Sequence, residues 1–513
     1  STLTSSYTAV VDVVLASATA ADVLKIVVSA IDSGAGAVTI SNIGEISGSI
    51  GDLTSIVGNS LVTLSSGVDF AVSGGASATE VVTLKAATTT GGVTAVVTDN
   101  DIAALSALTT SESSDAITIT VTDASVSAAA LTDLEGKTSV AVTASAVSEI
   151  TGSIGQINAV IGEANITTAS NYNSTVSSGT VTVDQVNILK GDTLGVITAE
   201  VVSTETLAEL LTLTTAATDA ITTTVTDASA DAADLTLLGG KTSVSVGATA
   251  VGTITGTLTE IVAIIDIPGV TTDGDYVATA TSGTGSVDQV NLIKADTTGP
   301  ITAEIVSSES LTELLTLTTG ATDSITMTVP SGTVSAANLI ALDLLTGTAV
   351  DATGITLLTG NLNDVNTVLA ASGLNTSGSV AVSVDSAISV TDFNALDLLT
   401  TGIVTATVQD ASASDLATVT TTSTNVVSAV VQDSGSAVAA SELTALLTHT
   451  GVGVDATAVT EVTGTLAELA ALNAVIGTAA SGKIEFSSVS VPTAKLTFDT
   501  AATIALAATT PIA

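Results

Sequence analysis

Few side chains in this sequence could carry out chemistry, and the acidic ones are the most suggestive. Two carboxylates and an amide fall within three residues at Asp99, Asn100 and Asp101, and Asp123 and Asp227 lie 104 residues apart. Calcium takes about six to eight oxygen ligands, and carboxylates at adjacent turns of a repetitive fold could supply some of them. Asp99, Asp101, Asp123 and Asp227 are therefore the candidate calcium ligands.

These aspartates also have a structural interpretation. Aspartate commonly ends a strand or caps a helix while its carboxylate remains solvated. The sequence contains neither an Asp-x-Asp-x-Asp-Gly loop nor a Gly-Gly-x-Gly-x-Asp repeat, so the usual calcium-binding loops are not indicated. We favour the structural interpretation and keep calcium as the one cofactor that the sequence suggests.

Residues for enzymatic catalysis are scarce. The chain has one histidine, His449, and neither cysteine nor arginine. His449 could act as a base, but its position in Leu-Leu-Thr-His-Thr-Gly is typical of a polar residue at a helix C-terminus. Parallel β-helix polysaccharide lyases are the nearest enzymatic comparison, and those depend on arginine as well as lysine and acidic clusters. We predict that the protein is not an enzyme.

Composition and charge limit the partners. The net charge is −42, and all eight basic residues are lysines, so nucleic acids and anionic membranes would be repelled. No apolar run is long enough to predict membrane insertion. Aromatic residues make up 1% of the chain, so small aliphatic side chains in stacked thin layers must supply the core.

A five-residue motif organises the chain. A glycine is followed by Ser, Thr or Asn, and an acid or amide stands three residues after that polar residue. The motif begins at Gly48, Gly152, Gly256, Gly360 and Gly464, so every step is 104 residues. The polar residue and the acid or amide form the pattern of a helix N-cap or capping box, and apolar residues at helical spacing follow them.

These patterns predict an α/β solenoid. Each coil, meaning one strand with the short helix that follows it, averages about 26 residues, with four coils in each of the five 104-residue periods. Strands joined by one type of connection should be parallel with right-handed crossovers, stacked into an elongated rod. We expect an irregular N-terminal coil or cap at 1–40, continuous repeats over 41–483 and a β-rich C-terminal cap or junction at 484–513.

The sequence resembles a known group of proteins. Alternating Val/Thr strands, Asp at turns and stretches such as Thr463-Gly464-Thr465-Leu466-Ala467-Glu468-Leu469 are similar to giant Ala/Thr-rich repeat proteins of bacterial surfaces, especially marine cyanobacteria. The resemblance implies type I export and a place at the cell surface.

We accordingly predict an extracellular structural protein that self-associates in a surface layer, appendage or filament. An adhesin, or a solenoid that binds ice or carbohydrate through outward threonines such as Thr118, Thr120 and Thr122, is the alternative.

Overall fold

The computed structural model describes residues 14–32, 37–266, 269–410, 412–420, 425–433, 437–477, 482–487 and 493–496. They form two compact units. Unit 1 consists of the chain up to residue 251 together with residues 266–273. Unit 2 consists of residues 252–265 and the chain from residue 274 onward. The predicted segments 1–40, 41–483 and 484–513 stay a prediction, and their outermost residues, 1–13 and 497–513, lie outside the described part.

The helices are short and recur along the chain. In order they are α1 Ala20–Asp32, α2 Ile50–Val57, α3 Ala78–Ala87, α4 Ile102–Leu105, α5 Ala128–Glu135, α6 Ile154–Gly162, α7 Val183–Asp192, α8 Leu207–Leu210, α9 Ala232–Gly239, α10 Leu258–Asp266, α11 Val287–Asp296, α12 Leu311–Leu314, α13 Ala336–Asp343, α14 Leu362–Ala370, α15 Val390–Asp397, α16 Ala413–Leu416, α17 Ala440–Leu446 and α18 Leu466–Val475. Within the described part of the chain, none of these helices has both the length and the apolar character needed to cross a bilayer.

The strands are equally short. The first half contains β1 Val14–Thr19, β2 Val38–Ile40, β3 Asn42–Ser49, β4 Val62–Leu64, β5 Asp69–Ala76, β6 Val93–Val97, β7 Ala116–Thr118, β8 Ser125–Ser127, β9 Val142–Ala144, β10 Glu149–Ser153, β11 Ile166–Thr168, β12 Asn173–Ser178, β13 Ile197–Glu200, β14 Ala220–Thr222, β15 Ser229–Asp231 and β16 Val246–Ala248. The second half contains β17 Thr253–Gly256, β18 Val270–Thr272, β19 Val277–Ala280, β20 Ile301–Glu304, β21 Ser324–Thr326, β22 Gly332–Ser335, β23 Val350–Ala352, β24 Ile355–Gly360, β25 Leu374–Thr376, β26 Ala381–Val384, β27 Val404–Asp410, β28 Val426–Val431, β29 Ala437–Ala439, β30 Gly453–Asp455, β31 Glu461–Gly464, β32 Ile484–Glu485 and β33 Thr493–Leu496.

Parallel pairing dominates both units. In unit 1 the larger sheets have the orders β1-β3-β5-β6-β7 and β8-β10-β12-β13-β14, with parallel pairing throughout. Unit 2 contains the runs β17-β19-β20-β21, β22-β24-β26-β27-β28-β30-β32 and β29-β31-β33, also parallel. The structure thus confirms repeated strand-then-helix units with parallel sheets, an α/β-type fold.

The 104-residue period is visible in the helices. Helices α2, α6, α10, α14 and α18 begin at residues 50, 154, 258, 362 and 466, which are 104 apart. Four of the described helices begin in each interval, so the mean spacing of 104/4 = 26 residues matches the predicted coil length. The strands are less uniform. Ile150 pairs with Ser174, and Ser174 with Ile197, which are steps of 24 and 23 residues.

The shorter strand steps are balanced by a connection without a helix. Strand β7 ends at Thr118 and closes the first large sheet, and β8 begins the next sheet at Ser125. The same helix-free step separates β21 from β22 in unit 2. The mean helix spacing of 26 residues therefore includes, in each of these periods, a helix-free connection at which one sheet ends and the next begins. The alternation of apolar and polar residues could not predict this boundary.

The core follows the predicted alternation. Ile117, Ile119 and Val121 are buried, whereas Thr118 and Thr120 are exposed. Fully burying an aliphatic side chain of this size contributes about 1.5–3 kcal/mol. Successive strands pair in parallel, so each strand also has the strands of adjoining coils beside it.

The motif glycines allow close packing between coils. A Cβ atom on Gly48 would lie 2.5 Å from the Cβ of Ala20, and one on Gly464 would lie 3.2 Å from the Cβ of Ala440. Ala20 and Ala440 are the first residues of α1 and α17, so the glycine makes room for the start of the helix in the preceding coil. Gly256 also has a φ of +146°, which side-chain-bearing residues rarely adopt.

The predicted caps are confirmed. Thr257 accepts a hydrogen bond from the Glu260 backbone N–H at 3.2 Å, and its own N–H donates to the Glu260 carboxylate at 2.7 Å. Ser153 with Gln156 and Thr465 with Glu468 form the same capping box. Ser49 and Asn361 accept the corresponding N–H bonds as N-caps.

Candidate functional site

Asp99 and Asp101, the closest pair of predicted calcium ligands, serve different helices. The Asp99 carboxylate accepts a hydrogen bond from the backbone N–H of Ala78, the first residue of α3, at 2.7 Å. Asp101 is the N-cap of α4 and accepts from the Ala104 N–H at 2.9 Å. Two neighbouring acids in sequence therefore stabilise the helix starts of two successive coils.

Asp123 and Asp227, the other two predicted ligands, have one shared role. Asp123 accepts a hydrogen bond from the N–H of Ile102, and Asp227 accepts one from the N–H of Leu207, each at 2.9 Å. Ile102 and Leu207 are the first residues of α4 and α8. The proposed equivalence of the two aspartates is therefore matched by equivalent contacts.

Asp99, Asp123 and Asp227 belong to a wider pattern in which a carboxylate binds the helix start of the preceding coil, whereas Asp101 caps its own helix. The acid follows its N–H donor by 20–22 residues. The remaining members are Glu205 with Val183, Glu309 with Val287, and Asp433 with Ala413. The first N–H groups of a helix lack partners within the helix and lie at its positive end, so a carboxylate is the favoured acceptor there.

The chemistry available to these acids is mainly hydrogen-bond acceptance. Across the described stretches, no group of three or more His, Asp or Glu side chains is arranged to hold a metal ion. The structure does not bring Asp99, Asp101, Asp123 and Asp227 to one shared helix terminus. Calcium binding by these residues remains a prediction.

Buried lysine–aspartate pairs are the principal feature that the sequence analysis missed. Lys85 pairs with Asp115, Lys190 with Asp219 and Lys294 with Asp323, at nitrogen–oxygen distances of 2.9–3.0 Å. Each aspartate side chain is 0% exposed, and each lysine side chain is 15–19% exposed. The available signal was a lysine followed 29 or 30 residues later by an aspartate, repeated in three periods.

Each buried aspartate joins several parts of the backbone. Asp219 accepts hydrogen bonds from the N–H groups of Ile197 at 2.9 Å and Ala216 at 2.8 Å, besides the Lys190 ammonium at 3.0 Å. Lys190 also donates to the Gly195 carbonyl at 3.1 Å. A buried carboxylate is tolerated when its charge is paired and its oxygens are bonded, and both conditions hold here.

A neutral variation of this arrangement occurs later in the chain. The Asn425 carbonyl oxygen accepts from the Val404 N–H at 2.9 Å, as Asp323 does from Ile301 at 2.8 Å. The Asn425 amide donates to the Asp397 carboxylate at 2.7 Å. Leu398 stands 104 residues after Lys294 and is 87% exposed. The backbone contact is therefore kept where the lysine is missing.

Two buried tyrosines, each just ahead of a strand, bind the last residue of the helix that follows that strand. The Tyr172 hydroxyl donates to Asp192 at 2.6 Å, and the Tyr276 hydroxyl donates to Asp296 at 2.8 Å. Burial, followed by the hydrogen bond to the carboxylate and its negative charge, raises the pKa of both phenols above its ordinary value. Both tyrosines therefore remain protonated donors at neutral pH.

On the helix-bearing surface, asparagine side chains bridge neighbouring coils. Asn187 donates to the Thr212 carbonyl at 3.1 Å and accepts from the Thr214 N–H at 2.8 Å. Asn291 repeats these contacts with Thr316 and Thr318. The repeated Val-Asp-Gln-Val-Asn sequence is thus explained by contacts to the next coil.

The single histidine has an ordinary backbone environment. His449 follows α17, and its backbone N–H donates to the Leu446 carbonyl at 2.9 Å. Its place after the end of this helix matches the structural interpretation that its sequence favours.

The outward strand residues do not form a surface of one residue type. Thr198 and Thr222 are exposed, but Glu200 pairs with Thr222, and Glu304 takes the same place beside Thr326. Acidic side chains therefore interrupt the threonine rows.

Compared with protein-family models, curated proteins and solved structures, the chain shows no significant match.

Proposed function

We propose that the parallel strand-then-helix units wind as a right-handed solenoid that serves as a structural element. The observation that carries this proposal is that several polar side chains in the described part of the chain bind the adjoining coil. Asp227, Asn187 and Lys190 all bind groups 20–29 residues away, which is about one coil. Such nearest-neighbour contacts stabilise arrays whose length can grow by addition of repeats.

The proposed location is outside the cell, in a bacterial surface layer, appendage or filament. The resemblance to giant Ala/Thr-rich surface proteins supports this placement. The net charge of −42 also suits saline surroundings, where mobile ions screen the repulsion among carboxylates. Self-association into a filament or lattice is part of the proposal.

Electron microscopy of the purified chain tests this role. Elongated particles that join into larger assemblies are the expected result, because stacked coils extend in one direction. The same sample with calcium and with a chelator tests whether the ion is needed for assembly. Compact single particles at every protein concentration and in both ionic conditions would contradict the proposed role.

Binding of ice or a carbohydrate surface is the second candidate, favoured by the exposed threonines Thr118, Thr120 and Thr122. Inhibition of ice recrystallisation and binding to immobilised glycans are the assays. Loss of either activity on replacing Thr118 and Thr120 with lysine would support this candidate over a purely structural role.

A further inference from the structure

Helix α1 has two apolar stripes, and only one is buried. Ala20, Val23, Val27 and Ala30 face the core. On the adjoining side, roughly 90° away around the helix, Val28 is 55% exposed and Ile31 is 44% exposed, while Leu24 is half-buried. Single exposed aliphatic residues are common on soluble proteins, but a stripe at i, i+4 and i+7 marks a helix-packing surface.

The neighbours of α1 leave this outer stripe uncovered. Among the described elements, α1 packs against β1, β3 and α2. Leu24 and Val28 line a shallow groove between α1 and α2, to which Asp52 of α2 also contributes. The groove is open and has room for side chains of another helix.

Charged residues flank the stripe on one edge. At about 100° per residue, Lys25 and Asp32 project to the same side of Val28, whereas Leu24 and Ile31 project to the other side. The Lys25 side chain is 77% exposed, in contrast to the 15–19% exposure of the lysines in the buried pairs. Lys25 is thus an accessible cation on a strongly acidic protein.

We propose that α1 is the contact surface for a second copy of this chain, in an antiparallel pair of α1 helices. A two-fold axis beside Val28 would place Val28 against Val28, Leu24 against Ile31 of the partner, and Lys25 against Asp32 of the partner. The same surface then serves both copies, as an isologous interface requires. Charge complementarity selects the antiparallel orientation, because a parallel two-fold pair would set the charged edge of one helix against the apolar edge of the other and leave Lys25 without Asp32 opposite it.

This inference rests on the proposed self-association and names the contact that begins it. One pair of helices of this length buries less than the roughly 1,600 Å² of a standard interface. We therefore expect a reversible dimer that forms at tens of micromolar protein rather than a permanent one.

Sedimentation equilibrium of the full chain in about 0.15 M salt provides the first test. The wild-type chain should dimerise, and Val28→Glu should weaken dimerisation by about tenfold or more, because a charge would be buried at the centre of the contact. Leu237→Glu is the matched control: Leu237 is 56% exposed on a different helix, so dimerisation should be unchanged. Circular dichroism melting checks that each variant is folded.

A charge-swap experiment tests the orientation. Lys25 also pairs with Asp22 of its own helix at 3.0 Å, an exposed contact that contributes little and does not prevent a second acid from binding the ammonium. Lys25→Asp alone and Asp32→Lys alone should each weaken dimerisation, since like charges would then meet twice across the axis. An equimolar mixture of the two variants should recover dimerisation, because both cross-contacts pair opposite charges. The mixture remains informative if Val28→Glu does not fold.

The other possible outcomes distinguish an incorrect α1 interface from an incorrect proposal of self-association. A wild-type chain that associates with equal strength in all variants would overturn the α1 interface while leaving self-association intact. A wild-type chain that stays monomeric at every accessible concentration would overturn both. Failure of the mixed variants to recover dimerisation would overturn the antiparallel α1 pair.

Discussion

At the residue scale, buried ammonium–carboxylate pairs fix the positions of neighbouring coils. Lys190 reaches from α7 to Asp219, 29 residues later, and Asp219 binds the backbone at the start of β13 and ahead of β14. In an interior of small aliphatic side chains, this pair supplies directional contacts between coils. Truncating one partner leaves the other charged and uncompensated.

We predict that Lys190→Met lowers the free energy of unfolding by about 3 kcal/mol, because the Asp219 carboxylate would be buried without its cation. Lys25→Met is the control, since Lys25 is exposed and exposed ion pairs contribute little. Urea denaturation of both variants provides the measurement. Equal stability of the Lys190 variant and the wild type would show that the pair does not act as a buried charge couple.

The capping glutamates make stability depend on pH. Hydrogen bonds from the backbone N–H of Thr257, and then from its hydroxyl, lower the pKa of Glu260; Thr206 and Thr465 act in the same way on Glu209 and Glu468. A carboxyl with a lower pKa in the folded state contributes stability above its unfolded pKa. That contribution is lost as the pH falls through the folded pKa.

We therefore expect the urea midpoint to fall as the pH is lowered from about 5 to about 3, a range that begins above the ordinary glutamate pKa of about 4.3 and ends below it. Glu260→Gln should reduce this pH dependence, since glutamine can still accept the capping bond but does not titrate. The chain already uses glutamine in this role at Gln156 and Gln185. An unchanged pH profile in the variant would assign the acid sensitivity to other carboxyls.

At the element scale, the start of a helix is held by a side-chain cap in most of the described coils and by a second contact in several of them. Thr257 and Glu260 act within the coil, and in several coils a carboxylate from the next coil binds the first helical N–H. The combination matters because helices of four to ten residues are too short to be stable alone. Caps and neighbouring coils must supply what helix length does not.

Replacing Gly256 with Val together with Thr257 with Ala should lower the free energy of unfolding by about 1–3 kcal/mol. The glycine has positive φ, so valine would be strained, and alanine removes the cap. Gly274→Ala is the control, because a Cβ there has no atom within 4 Å. Calorimetric melting identical to that of the wild type would contradict the importance of this motif.

The calcium hypothesis also belongs to this scale, because its four residues lie at helix starts. If calcium binds there, the ion should raise the melting temperature at constant ionic strength, and Asp123→Asn with Asp227→Asn should reduce the increase. Magnesium at the same concentration is the control for general screening. Equal effects of both ions on both proteins would leave hydrogen-bond acceptance as the role of these aspartates.

At the scale of the whole chain, charge is distributed unequally between interior and surface. The net charge is −42, and Lys85, Lys190 and Lys294 direct their ammonium groups to buried aspartates. These lysines therefore do little to neutralise the surface carboxylates. Repulsion among exposed acids opposes the compact state and is screened by salt.

We predict that sodium chloride raises the melting temperature progressively from about 10 mM to about 0.5 M, since the Debye length falls from about 30 Å to a few ångströms over that range. Lys85→Met should change the stability but not the slope against salt, because a buried pair is screened less than surface charge. A melting temperature that falls with salt would show that surface ion pairs outweigh the repulsion.

The sequence by itself determined the local structure of this protein. Repetition fixed the 104-residue period, and the positions of Thr257 and Glu260 predicted a capping box that the structure contains. The alternation of Ile117, Thr118 and Ile119 predicted which side chains are buried. These features depend on residues only a few positions apart, where backbone geometry leaves few alternatives.

Only the tertiary structure decided how the coils bind one another. The pairing of Lys85 with Asp115, and the use of Asp123 to bind the start of α4, join residues 30 and 21 positions apart. The helix-free step from β7 to β8 likewise depends on where one sheet ends. Strand register sets these contacts, and a shift of one residue would turn every side chain to the opposite face, so local patterns could not specify them.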